Sequence, residues 1–281
     1  MSLAPPAGTA RIAALHVYPV KSARGIELDD AGLTRAGLEQ DRRWMLVDAA
    51  GRFLTQRELP RLALLVPVVS ATALRLQAPA MPEISIALAR EGERRRVSVW
   101  NHSCEAFDEG AAVADWLRQY LDHECRLVRF DPAHRRLSSR QWTGAVEAEN
   151  QFSDGFPILA LSTASLADLN ARLPEPLPMN RFRPNIVLEG LDAYDEDRID
   201  ELCDGAIRLK PVKACTRCKI TTTNQDTGGA ASDEPLRTLK SYRYDAALHG
   251  VCFGQNLIVI DGVGARLRRG QTLQLRWKAQ R

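Results

Sequence analysis

The stretch Lys213-Ala214-Cys215-Thr216-Arg217-Cys218-Lys219-Ile220 brings two cysteines and three cations together, and the β-branched run Thr221-Thr222-Thr223 follows it. Nearby positive charge stabilises a thiolate, which serves as a nucleophile or as a soft metal ligand. The β-branched run predicts a strand over residues 220–223. A simpler interpretation, in which both cysteines are small core residues, does not explain the flanking cations. We therefore expect a functional cysteine beside a β-strand.

Two other uses of a Cys-x-x-Cys spacing fit this sequence less well. A structural zinc site needs four ligands, usually from a second Cys or His pair, whereas the other four cysteines and the five histidines are scattered singly. A thioredoxin-type dithiol lies at the start of a helix, and the residues after Cys218 predict a strand instead. A redox dithiol therefore stays open only as an alternative.

The composition is typical of a globular protein of the cytoplasm. The chain has 281 residues, of which 45% are hydrophobic and 26% charged, and no apolar run approaches the roughly 20 residues that a membrane helix needs. Met1–Pro6 has no basic start before an apolar segment, so no secretory signal is predicted. Six cysteines without a pattern favour a reducing, cytoplasmic location.

The charge distribution does not indicate a nucleic-acid partner. The net charge is only +3, and a binding surface for nucleic acid normally carries a clustered basic patch. The arginine-rich stretches Arg94–Arg96 and Arg135–Arg136 have acidic and apolar residues nearby. We interpret both stretches as solvated surface.

Many short strands and few helices are predicted. Apolar residues at helical spacing predict a helix over Ala111–Leu121 with Trp116 in the core, and Ser162 is expected to cap a second helix that carries Leu166 and Leu169. The predicted strands cover residues 11–18, 41–47, 52–55, 62–66, 73–77, 84–88, 96–100, 126–130, 206–212, 220–223, 256–260 and 272–277.

This pattern predicts an α+β fold dominated by β-structure. A closed or nearly closed barrel is the natural way for many short strands to avoid free edges. The polar segment 131–150, which contains Pro132 and Gly144, is the best candidate for a domain boundary. We expect a β-barrel-like domain at residues 1–135 and a second β-barrel domain with few helices at residues 136–281.

A second group of candidate functional residues follows the first predicted strand. Lys21 and Ser22 lie in a turn that also contains the flexible Gly25. A cation beside a hydroxyl group is a modest anion-binding pattern, because a phosphate prefers a point charge and short donors. The turn is therefore a candidate phosphate site.

Six motifs together resemble the MOSC family, named for the C-terminal domain of molybdenum-cofactor sulfurase. The resemblance covers nearly the whole chain, including the β-barrel domain that precedes MOSC. Within the family the chain is most similar to the amidoxime-reducing components, which reduce N-hydroxylated compounds with a molybdenum–molybdopterin cofactor. The motifs are Tyr18-Pro19-Val20-Lys21-Ser22, Asp41-Arg42-Arg43-Trp44, Asn180-Arg181-Phe182-Arg183-Pro184-Asn185, Cys215-Thr216-Arg217-Cys218, Thr238-Leu239-Lys240-Ser241-Tyr242-Arg243 and Phe253-Gly254-Gln255-Asn256.

The resemblance implies a role for individual residues. Cys218 is the expected molybdenum ligand and catalytic residue, and Thr216 and Arg217 are expected to contact the cofactor beside it. Asn256, which replaces a tyrosine of the mitochondrial proteins, is also expected to bind the cofactor. The residues expected to hold the pterin and its phosphate are Lys21, Ser22, Arg42, Arg183 and Asn185.

One segment departs from the family pattern. Asp154-Gly155-Phe156 stands where the mitochondrial proteins have small hydroxyl residues that face the cofactor. We therefore expect any contact to the cofactor there to come from the backbone.

The resemblance implies an oxidoreductase that reduces amidoximes, hydroxylamines and N-hydroxylated bases. The chain ends at Arg281 without the cysteine-rich iron–sulfur extension of some bacterial relatives, so we expect a separate electron donor of the ferredoxin or cytochrome type with its reductase. No membrane or nucleic-acid partner is expected. An alternative stays open, in which the protein carries the cofactor or a sulfur atom, with Cys218 or Cys215 as a persulfide.

Overall fold

The computed structural model describes residues 8–89, 92–229 and 232–279. Met1–Pro6, from which the absence of a secretory signal is predicted, lies outside these ranges. Strands account for 40% of the structure and helices for 17%. The predicted β-dominated fold is therefore confirmed.

The elements follow one another in chain order as mostly short strands. Within the described ranges the strands are β1 Gly8–Val17, β2 Ile26–Leu28, β3 Asp30–Thr34, β4 Gly37–Leu38, β5 Trp44–Val47, β6 Val66–Val69, β7 Ala73–Gln77, β8 Ile84–Ala87, β9 Arg94–Val99, β10 His102–Asp108, β11 Arg126–Phe130, β12 Ile158–Ser162, β13 Ile186–Glu189, β14 Ile199–Asp204, β15 Ile207–Thr216, β16 Tyr244–Asp245, β17 Gly250–Asp261, β18 Arg266–Arg268 and β19 Thr272–Trp277. The α-helices are α1 Ala111–Leu121, α2 Arg140–Thr143, α3 Thr163–Arg172 and α4 Leu236–Lys240, and the 3-10 helices are Pro60–Leu64, Met179–Arg181, Asp195–Asp197 and Lys219–Thr222.

Seven strands form a closed barrel in the order β12-β13-β1-β19-β14-β15-β17, and the pairing of β12 with β17 closes it. Its interior is filled by aliphatic side chains such as Ile12, Leu15, Leu209 and Leu257, which are fully buried. Closure removes the free edges that an open sheet of this size would present. The barrel expected from the many short strands is therefore present.

Strand β1 comes from the start of the chain but lies inside this barrel. Arg11 is opposite Glu189 of β13, and Ala10 is opposite Leu273 of β19. Strand β3 likewise pairs with β18 near the end of the described chain. The boundary predicted after residue 135 stays a prediction, but the early strands are shared with the later part of the fold.

A second group of sheets packs around helix α1. The sheet β5-β11-β10-β9 and the sheet β6-β7-β8 share a core with α1 that contains Trp44, Leu117 and Leu127. Helix α1 has the predicted bounds, and Trp116 is buried as predicted. Trp100, in the turn that follows β9, lines the cavity described below.

Gly254 allows β17 to approach β12 closely where the barrel closes. Its φ is 82°, and a Cβ at this position would lie 2.8 Å from the carbonyl oxygen of Ala160. A side chain there would clash with the backbone of β12, and positive φ is also unfavourable for most residues. The glycine therefore keeps β17 in place beside the cavity.

The segment after Cys218 forms the 3-10 helix Lys219–Thr222, so the predicted strand over residues 220–223 is wrong. Thr221 Oγ1 donates to the carbonyl oxygen of Cys218 at 3.0 Å, and Thr222 Oγ1 donates to that of Lys219 at 2.8 Å. Such local bonds from threonine to the backbone compete with strand pairing. They outweigh the β-propensity of the run.

The predicted strand over residues 62–66 is also wrong. A 3-10 helix covers Pro60–Leu64, and β6 begins only at Val66. Proline at the first helical position presets φ for a helical turn, and this turn buries Leu62 and Leu65. Short apolar runs are ambiguous between helix and strand.

The strands predicted over residues 41–47 and 52–55 are present only in part. The first is β5, whereas Phe53 of the second segment forms an isolated bridge with Val47. The prediction missed β10, whose inward side chains Cys104 and Ala106 alternate with polar residues. Because β10 contains many polar side chains, its two-residue alternation could not be recognised in the sequence.

Candidate functional site

All the residues predicted to form the site line one cavity of about 420 Å³. Two larger cavities, of about 550 and 510 Å³, lie elsewhere, and neither is lined by Cys218. The predicted residues in the cavity wall are Lys21, Ser22, Arg42, Arg183, Asn185, Thr216, Arg217, Cys218 and Asn256. Residues from the first and second parts of the sequence therefore meet at one place.

The two cysteines have different surroundings. Cys215 lies near the end of β15, and its Sγ accepts a hydrogen bond from Arg217 Nη1 at 3.0 Å. Cys218 directly precedes the 3-10 helix, and its Sγ has no hydrogen-bond partner among the described residues. Both line the cavity. The Sγ of Cys218 is therefore not engaged by a neighbouring donor, and its role as the metal ligand stays a prediction.

Arg217 is held firmly between the two cysteines. Its backbone N–H donates to the carbonyl oxygen of Val251 at 2.7 Å, and Nη2 donates to that of Phe182 at 2.6 Å. Its Nε is buried and has no hydrogen-bond partner among the described residues. A buried donor without a partner carries a desolvation cost that an acceptor on a bound ligand would relieve.

Lys21 is a buried cation at the cavity wall. Only 6% of it is exposed, and its Nζ donates to the carbonyl oxygen of Phe152 at 2.8 Å and to Asp154 Oδ1 at 2.6 Å. Burial lowers the pKa of Lys21, although Asp154 acts in the opposite direction. Burial would raise the pKa of Asp154, but Lys21 and a hydrogen bond from Trp100 hold it well below its usual range.

The guanidinium groups of Arg42 and Arg183 both lie over the ring of Tyr18. Their guanidinium carbons are 4.4 Å and 4.2 Å from the ring centroid. Arg42 pairs with the buried Asp41, and Arg183 donates to the carbonyl oxygen of Ala23 at 2.7 Å. Burial lowers the pKa of Arg183 to about 10. Two guanidinium groups are thus packed at the cavity at a cost in solvation.

Asn185 acts on the cavity through Arg42. Its Oδ1 accepts hydrogen bonds from Arg42 Nη1 at 2.9 Å and from the backbone N–H of Leu159 at 3.1 Å, while Nδ2 donates to the carbonyl oxygen of His16 at 3.1 Å. The residue is 1% exposed. The amide therefore fixes the guanidinium of Arg42, and direct contact between Asn185 and a cofactor stays a prediction.

Ser22, Thr216 and Asn256 reach the cavity from three separate elements. The carbonyl oxygen of Ser22 accepts a hydrogen bond from Gln56 Nε2 at 2.7 Å. Thr216 is the last residue of β15, and Asn256 lies on β17. Their roles toward a cofactor stay predictions.

Several cavity residues have left-handed backbone conformations. The φ angles are 67° at Ser22, 49° at Arg42, 54° at Trp100 and 57° at Arg183. Residues other than glycine rarely adopt such angles, and strain of this kind concentrates at functional sites. The backbone around the cavity therefore holds these side chains in place at a cost in conformational energy.

The wall of the cavity is strongly positive. Lys21, Arg42, Arg183, Lys213 and Arg217 line it, and Asp154 is the one carboxylate among the described lining residues. Buried and half-buried cations in excess of carboxylates favour a bound anion, since the anion replaces lost solvation. The cavity therefore combines a free sulfur with an anion-binding wall.

The sequence interpretation missed Asp154. The expectation that this segment contacts the cofactor through its backbone stays a prediction, but the ion pair of Asp154 with Lys21 at the cavity was not foreseen. The carboxylate keeps 62% of its surface exposed, so solvent screens this ion pair. A buried lysine in a predicted anion site needs a counter-ion. That requirement could have indicated a carboxylate such as Asp154 near Lys21.

The interpretation of Arg135–Arg136 as solvated surface is wrong for Arg136. This residue is only 4% exposed and donates to the side chain of Asn150 and to the carbonyl oxygens of Ser153 and Asp154. It thereby shapes the loop that carries Asp154 into the cavity wall. The residue's polar neighbours in sequence gave no sign of its burial.

Comparisons with known proteins identify both parts of this fold. Residues 9–124 match the MOSC N-terminal beta barrel domain, and residues 147–274 match the MOSC domain. The chain belongs to the MOSC family, within the group that includes the amidoxime-reducing components.

Curated relatives give the same assignment. Mitochondrial amidoxime-reducing component 1 of Mus musculus is 38% identical over 259 residues, which cover 87% of this chain and 76% of the relative. Component 1 of Homo sapiens is also 38% identical, and human component 2 is 35% identical, each over 83% of this chain and 72% of the relative.

Among the described residues, no helix is both long and apolar enough to cross a membrane.

Proposed function

We propose that this protein is a molybdenum-dependent oxidoreductase that reduces N-hydroxylated compounds. The observation that carries the proposal is the free Sγ of Cys218 in a cavity whose wall bears several buried or half-buried cations. A thiolate suits a soft metal centre, and the cations suit a phosphate. Membership of the family that contains the amidoxime-reducing components supports the same activity.

The residues present fit a molybdenum–molybdopterin cofactor. The unpartnered Nε of Arg217 and the excess of cations at the cavity both call for an anionic ligand. Cys218 would ligate the metal, and Thr216, Arg217 and Asn256 would contact the group around it. Lys21, Ser22, Arg42 and Arg183 would hold the pterin and its phosphate, with Asn185 fixing Arg42.

When bound, the cofactor supplies the two-electron redox chemistry. The substrate's N–OH bond breaks, two electrons and two protons are taken up, and the products are the N–H compound and water. The chain's own contribution is to bind the cofactor through the cations and to shape the cavity that receives the substrate. A separate protein of the ferredoxin or cytochrome type, recharged by its reductase, supplies the electrons.

Reduction of benzamidoxime by purified, cofactor-loaded protein tests this function. A chemical electron donor replaces the natural partner, and benzamidine formation is measured. We expect turnover that scales with molybdenum content. Absence of turnover in protein shown to carry molybdenum and pterin would refute the proposed activity.

Two cysteines at the cavity also suit a carrier of sulfur or of the cofactor, in which Cys218 or Cys215 bears a persulfide. Metal analysis after gentle purification separates the two functions. Stoichiometric molybdenum with pterin fluorescence supports the oxidoreductase, whereas metal-free protein with cyanolysable sulfur supports the carrier. We propose a cytoplasmic location and a small-molecule substrate.

A further inference from the structure

Trp100 occupies a turn position that is unfavourable for a bulky residue. Val99 of β9 pairs with His102 of β10, so Trp100 and Asn101 form a two-residue hairpin turn. The φ of Trp100 is 54°. Glycine is the preferred residue for a positive φ at the first position of such a turn, and a bulky side chain there is an outlier that calls for an explanation.

The side chain of Trp100 makes three contacts with its neighbours. Its Nε1 donates to Asp154 Oδ1 at 3.0 Å, and its ring centroid is 5.1 Å from that of Phe53. The guanidinium carbon of Arg57 lies 4.6 Å from the Trp100 ring. These contacts restrict the indole to one orientation and so lower the entropy that it would lose on binding a ligand.

The indole is nevertheless 49% exposed, and it lines the same cavity as Cys218. Apolar side chains such as Phe156 and Ile220 also contribute to this cavity wall. An immobilised, exposed tryptophan offers a large apolar contact area at low entropic cost. A ligand with a flat apolar part would bury this area.

We propose that Trp100 is a specificity-determining residue, whose indole packs against the flat apolar part of an N-hydroxylated substrate such as the aryl ring of an amidoxime. The inference rests on the proposed function. It predicts that the protein favours aryl amidoximes over small N-hydroxylated compounds that have no ring to place against the indole.

Two variants at this position separate ring packing from the hydrogen bond to Asp154. Trp100→Ala removes both, whereas Trp100→Phe keeps an aromatic ring and removes only the Nε1 donor. The measured quantity is kcat/KM for benzamidoxime relative to kcat/KM for hydroxylamine, in molybdenum-loaded protein with a chemical electron donor.

We expect Trp100→Ala to lower this ratio by about three- to tenfold, the size of one aromatic contact, chiefly through KM. Trp100→Phe should retain most of the ratio. Equal ratios in the Ala variant and the wild type would overturn the proposal, as would equal losses in the Phe and Ala variants. The matched control is Tyr244→Ala, which removes an aromatic residue that is 52% exposed and lies outside the cavity; a similar fall in that variant would also overturn the proposal.

Binding of benzamidoxime to the holoprotein without an electron donor keeps this inference distinguishable from the proposed function. Wild-type protein that binds benzamidoxime but reduces neither compound would refute the activity alone. Weaker binding in Trp100→Ala than in Tyr244→Ala, seen by saturation-transfer NMR, would then still support the role of Trp100. Equal binding in the two variants would overturn it.

Discussion

Cys215 and Cys218 belong to the same short segment, but only Cys215 has a hydrogen-bonded sulfur. Because Arg217 donates to Cys215 while Cys218 has a free Sγ among the described residues, we expect the two serine variants to differ. Cys218→Ser should lose molybdenum and activity, since an alkoxide is a harder ligand than a thiolate.

Cys215→Ser serves as the matched variant. It should keep the metal and lose at most about tenfold in rate, because the serine oxygen can still accept the hydrogen bond from Arg217, so that only part of its contribution of about 1.5–3 kcal/mol is lost. Molybdenum per mole and amidoxime reduction are the measurements. Complete and equal losses in two folded variants would contradict the assignment of Cys218.

The buried cations predict that anion binding weakens at alkaline pH. Arg183 has a pKa lowered to about 10, and that of Lys21 is also lowered, in both cases chiefly by burial. A bound anion favours the charged forms of Lys21 and Arg183 and so raises their pKa values. Its affinity is therefore full below the pKa values of the anion-free protein and falls as the pH rises above them. The cavity should therefore bind a phosphate group less well in alkali.

Titration of cofactor-free protein with inorganic pyrophosphate by calorimetry measures this effect. From Arg183 alone we expect a loss of affinity of about tenfold between pH 9 and pH 11, as linkage requires for a pKa near 10. Arg268→Ala, on the exposed face of β18, should show the same profile as the wild type. A flat profile in folded protein would mean that these cations do not face the anion.

Among the elements, those with a strong period were predictable. Helix α1 has the predicted bounds because its apolar residues repeat at helical spacing. The 3-10 helix after Cys218 was not predictable, since the bonds from Thr221 and Thr222 to the backbone depend on a local conformation that β-propensity does not describe. The motifs identified most of the functional residues at the cavity. Asp154 and Trp100 belong to no motif, so their place in the cavity wall could be found only from the fold.

Two loops from distant parts of the chain are joined at Gln56 and Gln225. Their buried amides exchange hydrogen bonds of 3.1 and 3.0 Å, and Gln56 also holds the carbonyl oxygen of Ser22. Removing one amide leaves buried polar groups of the other without partners, at a cost of about 1–3 kcal/mol. The pair therefore couples the Lys21–Ser22 turn to the loop after Cys218.

A double-mutant cycle in urea tests this coupling. Gln56→Ala and Gln225→Ala should each destabilise the protein, and the double variant should lose less than their sum by at least about 0.5 kcal/mol. Gln274→Ala, on the exposed face of β19, should change stability by no more than about 0.5 kcal/mol. Additive losses would show that the two loops are independent.

At the scale of the whole molecule, the start of the chain belongs to the barrel that the later part of the sequence forms. Strand β1 completes the barrel, although the sequence suggested that this strand belongs to the first domain. Periodicity can identify β1 as a strand, but pairing with β13 and β19 joins residues more than 150 positions away. Long-range pairing of this kind cannot be read from local pattern.

This arrangement predicts that residues 136–281 do not fold alone. Without β1 the barrel opens, β13 and β19 expose unpaired edges, and the contribution of Ile12, Leu15 and Val17 to the core is lost. Full burial of such side chains contributes about 1.5–3 kcal/mol each. The combined loss of about 4.5–9 kcal/mol is comparable to the stability of a typical domain, about 5–15 kcal/mol.

Circular dichroism and amide NMR dispersion of the fragment measure its folding. We expect an unfolded or aggregating chain that binds no pyrophosphate. The matched variant adds residues 8–34 through a flexible linker to the end of the fragment, which restores β1 and the β3–β18 pairing, and it should recover cooperative unfolding. Because the cavity also needs Arg42, this linked variant should fold but bind pyrophosphate more weakly than the full chain. A fragment of residues 136–281 that unfolds cooperatively on its own would show that β1 is an addition to the barrel and not one of its essential strands.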